Sequence, residues 1–361
     1  MSTQPDLLYS EAEDDLRAAV RSLLTDRSDH AAVLARAESG APYDEGLWQS
    51  LAAGIGAAGL LVPEELGGQG AGHREAAVVL EELGRAVAPA PYLTSSVIAT
   101  ETLLALDVED ADVAELIKGL ATGRTAAVLA VPLSASAGAE LPDAAGVRGV
   151  ADAAAADVLL VLRPDGLHAV ERGDATVEPL VPLDLTRPLA SVTTGSGTGI
   201  RLADARTART AVRRGLLAGA GLLASEQLGV AEWCLEETVR YTRERHQFNR
   251  PVGSFQALKH RMAQLWLDVA GARAAARNAA DALAAASAEA PLAVAVAQAH
   301  CSRVAVRAAE ECVQLHAGIG MTWEHPAHLR LKRAKADEIA LGTPGRHKEV
   351  LAELVSLPAP R

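Results

Sequence analysis

The sequence predicts an α+β protein that is mostly α: an N-terminal helical domain, a small middle antiparallel β domain and a C-terminal four-helix bundle. Three observations carry this. Of the 361 residues 49% are apolar but only 3% aromatic, and alanine dominates, a composition of good helix formers in close contact. Alanine-rich runs with apolar spacing of three and four fill both ends of the chain, whereas short β-branched runs fill its middle. Helix, then strand, then helix is an uncommon order, and it sets domain boundaries at 1–121, 122–205 and 206–361.

Taken in order, Ser10 followed by EAEDDLRAAVRSLL supplies a capping residue, early acids and an amphipathic helix. Asp44–Ala53 and His73–Val87 repeat the pattern with glycines at their exits. Strands are expected at Ala126–Pro132, Asp157–Arg163, Gly166–Glu171, Thr176–Leu180, Leu189–Thr194 and Gly199–Leu202, separated by Pro, Gly and Asp clusters. Helices return over 206–244, 255–287, 291–316 and 327–341, with a last one at 346–356.

A net charge of −12 and a pI near 5.4 argue against a nucleic-acid surface, yet leave room for a local basic pocket that takes a phosphorylated ligand. Cys234, Cys301 and Cys312 show no CxxC spacing, and the first residues lack the basic and apolar regions of a signal peptide. The longest apolar run, Gly215–Ala224, is half a membrane span. The expectation is a soluble, reduced, cytoplasmic protein with no membrane partner.

Two motifs are read as structural. Gly54, Gly56 and Gly59 satisfy GxGxxG, but they follow a helix where a dinucleotide turn needs a strand, so a tightly packed helix exit is expected. His316, Glu324, His325 and His328 complete no metal framework, and Pro326 reads as a helix start, so no metal is expected. The junction between the first two long C-terminal helices, RERHQFNRPVGSFQALKHRM at 243–262, carries more chemistry. Arg245 offers a bidentate fork, Phe248 an aromatic face, and the break lets the next helix begin at Gln256 with free amides. An inter-helix loop with an interface arginine accounts for the same residues.

This junction resembles the R-x-Q-F-G-x-P-I-x-x-F-Q segment of the acyl-CoA dehydrogenase family. QLHAGIG at 314–320 resembles that family's Q-x-x-G-G-x-G, and LWQSLAAGIGAAGLLVPEELGGQGAG is similar to its G-x-x-G-L-x-x-P-E-x-x-G-G-x-G. The likeness is strong over 43–92 and 206–350 and faint between. It implies FAD as cofactor, an acyl-CoA substrate and a site shared between subunits of a homo- or hetero-tetramer. Arg245, Gln247, Phe248 and Gln256 would contact a neighbouring subunit's FAD, and Gln314 and Gly318 would approach it from the other side. Asn249 and Ala317 stand where the family has glycines, the latter of consequence if the backbone there needs positive φ. In the β domain only AVPLSASAG stands in for the family's flavin-cradling loop, with Ser134 and Ser136 as hydroxyl donors.

Desaturation in this family needs a glutamate to take the α-proton while the β-hydride goes to flavin. One family position directly precedes a Gly-Thr near the C-terminus, and here that position is Leu341. The second falls close to Gly219. Glu338, Glu226 and Glu324 are the replacement candidates. The resemblance therefore implies one of three roles. The chain desaturates an acyl-CoA thioester at the α,β bond in lipid or steroid catabolism. It is the base-less, half-site subunit of an actinobacterial heteromeric enzyme, inactive alone. Or it is a relative recruited to another flavin reaction in secondary metabolism.

Overall fold

The computed structural model describes residues 7–39, 43–141 and 146–357. Its N-terminal helices are α1 (Glu11–Arg27), α2 (His30–Glu38), α3 (Glu45–Gln49), α4 (His73–Ala86), α5 (Thr100–Leu103) and α6 (Ala111–Ala121). Ser10 closes a capping box on α1: its Oγ accepts from Glu13 N–H at 3.2 Å, and Glu13 Oε2 accepts from Ser10 N–H at 2.6 Å. The Gly54–Gly59 segment leaves a wide-turn helix, Ser50–Gly54, with no strand before it, and Gly56 takes φ +81°. A second wide-turn helix, Tyr92–Ala99, runs directly into α5.

Seven strands follow: β1 (Ala127–Leu129), β2 (Gly146–Ala151), β3 (Val158–Arg163), β4 (Gly166–Glu171), β5 (Ala175–Leu180), β6 (Leu189–Thr194) and β7 (Ile200–Asp204). They form two sheets, ordered β1-β3-β4-β7 and β2-β6-β5. Every pair is antiparallel except β1 with β3, which is parallel. Val150 and Val192 of one sheet and Leu159 and Val170 of the other meet in a small core between them. Strand β2 is an addition to the sequence reading. Two glycines and a register shift between Arg148 and Val150 interrupt the alternation by which a strand is recognised.

Asp204 then caps α7 (Ala205–Glu244), accepting from Arg206 N–H and Thr207 N–H at 2.8 and 3.0 Å. A two-residue hairpin, β8 (His246–Gln247) and β9 (Arg250–Pro251), leads to α8 (Gln256–Ala284), α9 (Ala290–Leu315), α10 (Ala327–Asp337) and α11 (Pro344–Leu354). The expected helix over 327–341 stops at Asp337 because Leu341 and Gly342 take φ +54° and +107°. Helix α7 packs along α4, α8 and α9 and is buried over most of its length. Cys234, Cys301 and Cys312 are free and buried, and no described helix is long and apolar enough to cross a membrane.

Candidate functional site

Helices α7, α8 and α9 alternate in direction, so the end of α7, the start of α8 and the end of α9 meet at one end of the bundle. The contact is direct: the Tyr241 ring stacks on His316 at 4.3 Å, joining the turn before Arg245 to the turn after Gln314. At the first junction Phe248 and Asn249 take φ +52° and +61°, as a two-residue primed turn requires. Phe248 is 88% exposed and meets Phe255 edge-on at 6.1 Å. Arg245, Gln247 and Gln256 are exposed, the Arg245 guanidinium has no partner among the described residues, and no side chain caps α8. At the second junction Ala317 takes φ +53°, the conformation in which the family's glycine matters. A Cβ on Gly318 would meet open space, whereas one on Gly320 would lie 2.5 Å from Val313 O. Gln314 and Gly318 are exposed. The junctions together present unpaired donors at a surface, which suits an anionic, planar ligand.

The other site residues lie elsewhere. Leu341 N–H donates to Leu133 O at 2.7 Å, which ties the end of α10 to the Ser134–Ser136 loop. From Gly219 to Arg245 is 26 residues of helix, or about 39 Å at 1.5 Å per residue, farther than one extended dinucleotide reaches.

Leu341 is 1% exposed, and a Cβ on Gly219 would lie 3.2 Å from its Cδ1 and 2.6 Å from Ile98 Cγ1. Gly219 and Leu341, the two positions where the resemblance would put the glutamate, thus pack against each other. Leu341 also borders a cavity of about 20 Å³ with Thr94, Ile98, Leu133 and Leu216 among its walls; it has room for one water and no titratable group. None of the replacement carboxylates lines it. Glu338 is half-buried, 3.7 Å from Lys335, and Glu324 is exposed. Glu226 is fully buried and receives Arg187 Nη2 at 2.6 and 2.7 Å on its two oxygens, with Arg333 on one of them. Burial opposes its ionisation, yet Arg187 and Arg333 hold its carboxyl below the usual range. Glu226 belongs to a structural network: Arg187 also reaches Asp337 at 2.8 Å, and Arg333 reaches Asp184 and Thr186. Burial followed by the Glu226 charge pushes Asp337 up to about 8. Sequence reasoning missed this network because its members lie in separate elements and no spacing marks them.

Beside the cavity a cleft of about 410 Å³ opens between α7, α9 and α11. Ser136, Arg213, Arg214, Arg346 and His347 line it. Arg214 is held by Glu101 at 2.7 Å and Arg346 by Glu349 at 3.0 Å, while Arg213 has no partner among the described residues. This is the local basic pocket that an acidic total charge permits. Ser134 is exposed.

Glu237, His316 and His325 bring potential metal-ligand atoms within 4.8 Å of one another. Ala327 N–H donates to His325 Nδ1 at 3.2 Å, so the ring proton sits on Nε2, the atom facing the group. His325 is a donor there, and burial followed by the neighbouring His316 holds it neutral, down to about 4.

Comparison with known proteins gives a consistent picture. A family model described as "Acyl-CoA dehydrogenase, N-terminal domain" matches residues 10–124, and one described as "Acyl-CoA dehydrogenase, C-terminal domain" matches 209–355. The chain is 38% identical over 347 residues to acyl-CoA dehydrogenase IpdE2 of Mycobacterium tuberculosis, covering 96% of this chain and 97% of that protein. Among solved structures it is similar to the ChsE4–ChsE5 complex of M. tuberculosis, with TM-score 0.84 and 26% identity over 98% of this chain and 100% of that one. A Tcur3481–Tcur3483 steroid ACAD variant matches with TM-score 0.82 and 26% identity over 96% and 98%.

Proposed function

The chain belongs to the acyl-CoA dehydrogenase family of FAD-dependent oxidoreductases, and on that premise we propose that it is the base-less subunit of a heteromeric enzyme. It lends flavin contacts to a catalytic sister chain that desaturates a steroid-derived acyl-CoA. The observation that carries this reading is the apolar packing of Gly219 against Leu341, beside a cavity that Leu341 borders and that is too small for a thioester. Proton abstraction from the α-carbon needs a carboxylate within hydrogen-bond reach, and this chain offers none there. Two-chain neighbours such as ChsE4–ChsE5, and the steroid ACAD, support the heteromeric and steroid parts of the proposal.

FAD, when bound, supplies the acceptor for the substrate's β-hydride. The chain's own part is to bind and orient. Arg245 has a free guanidinium fork for a pyrophosphate, and the uncapped start of α8 at Gln256 adds backbone donors. Phe248 and Gln247 cover the cofactor's planar and polar edges, and Gln314 and Gly318 approach it across the subunit boundary. On the other half of the chain Ser136, Arg213 and Arg346 form the donor set for a phosphate-bearing ligand, with Ser134 at the cleft's rim.

The test is the visible flavin absorbance of the chain purified alone and after co-expression with a neighbouring homologue. We expect a colourless lone chain and a yellow complex bleached by a steroid acyl-CoA. Stoichiometric FAD in the lone chain, bleached by an acyl-CoA, would overturn the reading.

A further inference from the structure

Helices α1, α2, α4, α7 and α10 line another hollow, open to solvent and of about 330 Å³, within the range that small-molecule sites occupy. Leu24, Ala86, Trp233 and Pro326 give it apolar walls. Most charges around it are matched. Arg21 forks onto Glu82 at 2.6 and 2.8 Å, Arg85 reaches Glu236 and Glu232, and Asp29 is turned into the N-cap of α2.

Arg330 is the exception. It is 5% exposed, lies 3.9 Å over the Trp233 ring, and donates through Nη2 to Arg85 O at 2.8 Å. Its Nε and Nη1 are buried without a partner, and no carboxylate lies within ion-pair distance among the described residues. Ser28 Oγ is buried and unpartnered as well, and the buried ring nitrogens of His30, though near the Trp323 and Glu324 backbone, make no well-aligned hydrogen bond. Five such atoms, from the C-cap of α1, the first residue of α2 and the body of α10, belong to residues lining one hollow. Buried polar atoms are nearly always satisfied, so this clustering calls for an occupant. Burial pulls Arg330 down to about 10, the direction expected of a cation without its counter-charge.

We propose that this hollow binds a small anion, a carboxylate or phosphate group carried on an apolar body. Arg330 is its charge partner, Ser28 and His30 are its hydrogen-bond partners, and Leu24 and Trp233 form the apolar wall. The guanidinium fork matches either anion.

Inorganic phosphate and butyrate, each titrated separately into the full chain in an anion-poor buffer, test this. The readout is the His30 ring resonance, assigned by its loss in His30→Gln. We expect a saturable shift below about 10 mM with at least one of them; phosphate alone would mark a phosphorylated ligand and butyrate alone a carboxylate. Ser28→Ala and Arg330→Lys should each weaken binding about tenfold. Ser28→Ala removes one oxygen, so it decides the matter even if the Arg330 variant does not fold. No shift with either anion, or binding unchanged in Ser28→Ala, would overturn the proposal. So would binding lost instead in Arg346→Ala, which would assign the anion to the arginine cleft.

Discussion

A Cβ on Gly219 would stand 3.2 Å from Leu341 Cδ1, although 122 residues separate the two in sequence. Gly219 lets α7 approach Ile98 closely, and Leu341 closes the remaining space from the end of α10. Both residues are built into one apolar contact. A polar group placed there meets no compensating partner, which gives the first prediction.

Leu341→Glu buries a carboxyl among Ile98, Leu133 and Leu216. Its folded pKa will be raised, so the destabilisation is small below the unfolded value and grows as pH rises through it. We expect a loss of about 3 kcal/mol at neutral pH and a smaller loss near pH 4, by urea unfolding. Equal losses at both pH values would show that the side chain escapes to water.

Asp337 is pushed up to about 8, with Oδ2 unpartnered and Oδ1 held by Arg187. Between its unfolded value and that figure the folded chain keeps a proton that the unfolded chain loses, so this group's contribution falls as pH rises. Asp337→Asn keeps an acceptor for Arg187 and does not titrate. The variant should therefore gain on the parent by more than about 1 kcal/mol between pH 5 and 7, measured as paired urea midpoints.

Arg245 is exposed and its guanidinium has no partner to lose among the described residues. Arg245→Ala should leave the lone chain's stability within about 0.5 kcal/mol while lowering the FAD content of the co-expressed complex severalfold. Retained flavin in that variant would remove Arg245 from the cofactor site.

Ala317 carries a side chain at φ +53°. Ala317→Gly should relieve that strain and stabilise the chain by about 1 kcal/mol, read from thermal unfolding. A loss of stability would mean that the methyl group packs usefully at the turn.

Much of this protein follows from local signals. The Ser10 capping box, the Asp204 cap before α7, and six of the seven strands in the two main sheets are legible because capping and periodicity act over a few residues. The breaks at 245–255 and 316–326 were legible too, as glycine, proline and polar residues between helical runs. Strand β2 escaped because its glycines and bulge erase alternation, and α10 ends before the expected residue because Leu341 and Gly342 reverse the backbone.

By itself the sequence determined the helix–strand–helix order and the polar breaks between the long C-terminal helices. Only the tertiary structure decided that Gly219 packs against Leu341, that Glu226 is locked between Arg187 and Arg333, and that Arg330 lines a hollow with no described carboxylate within ion-pair distance of it. Helix and turn signals depend on neighbours along the chain. Whether a buried charge finds a partner depends on groups that only packing brings together.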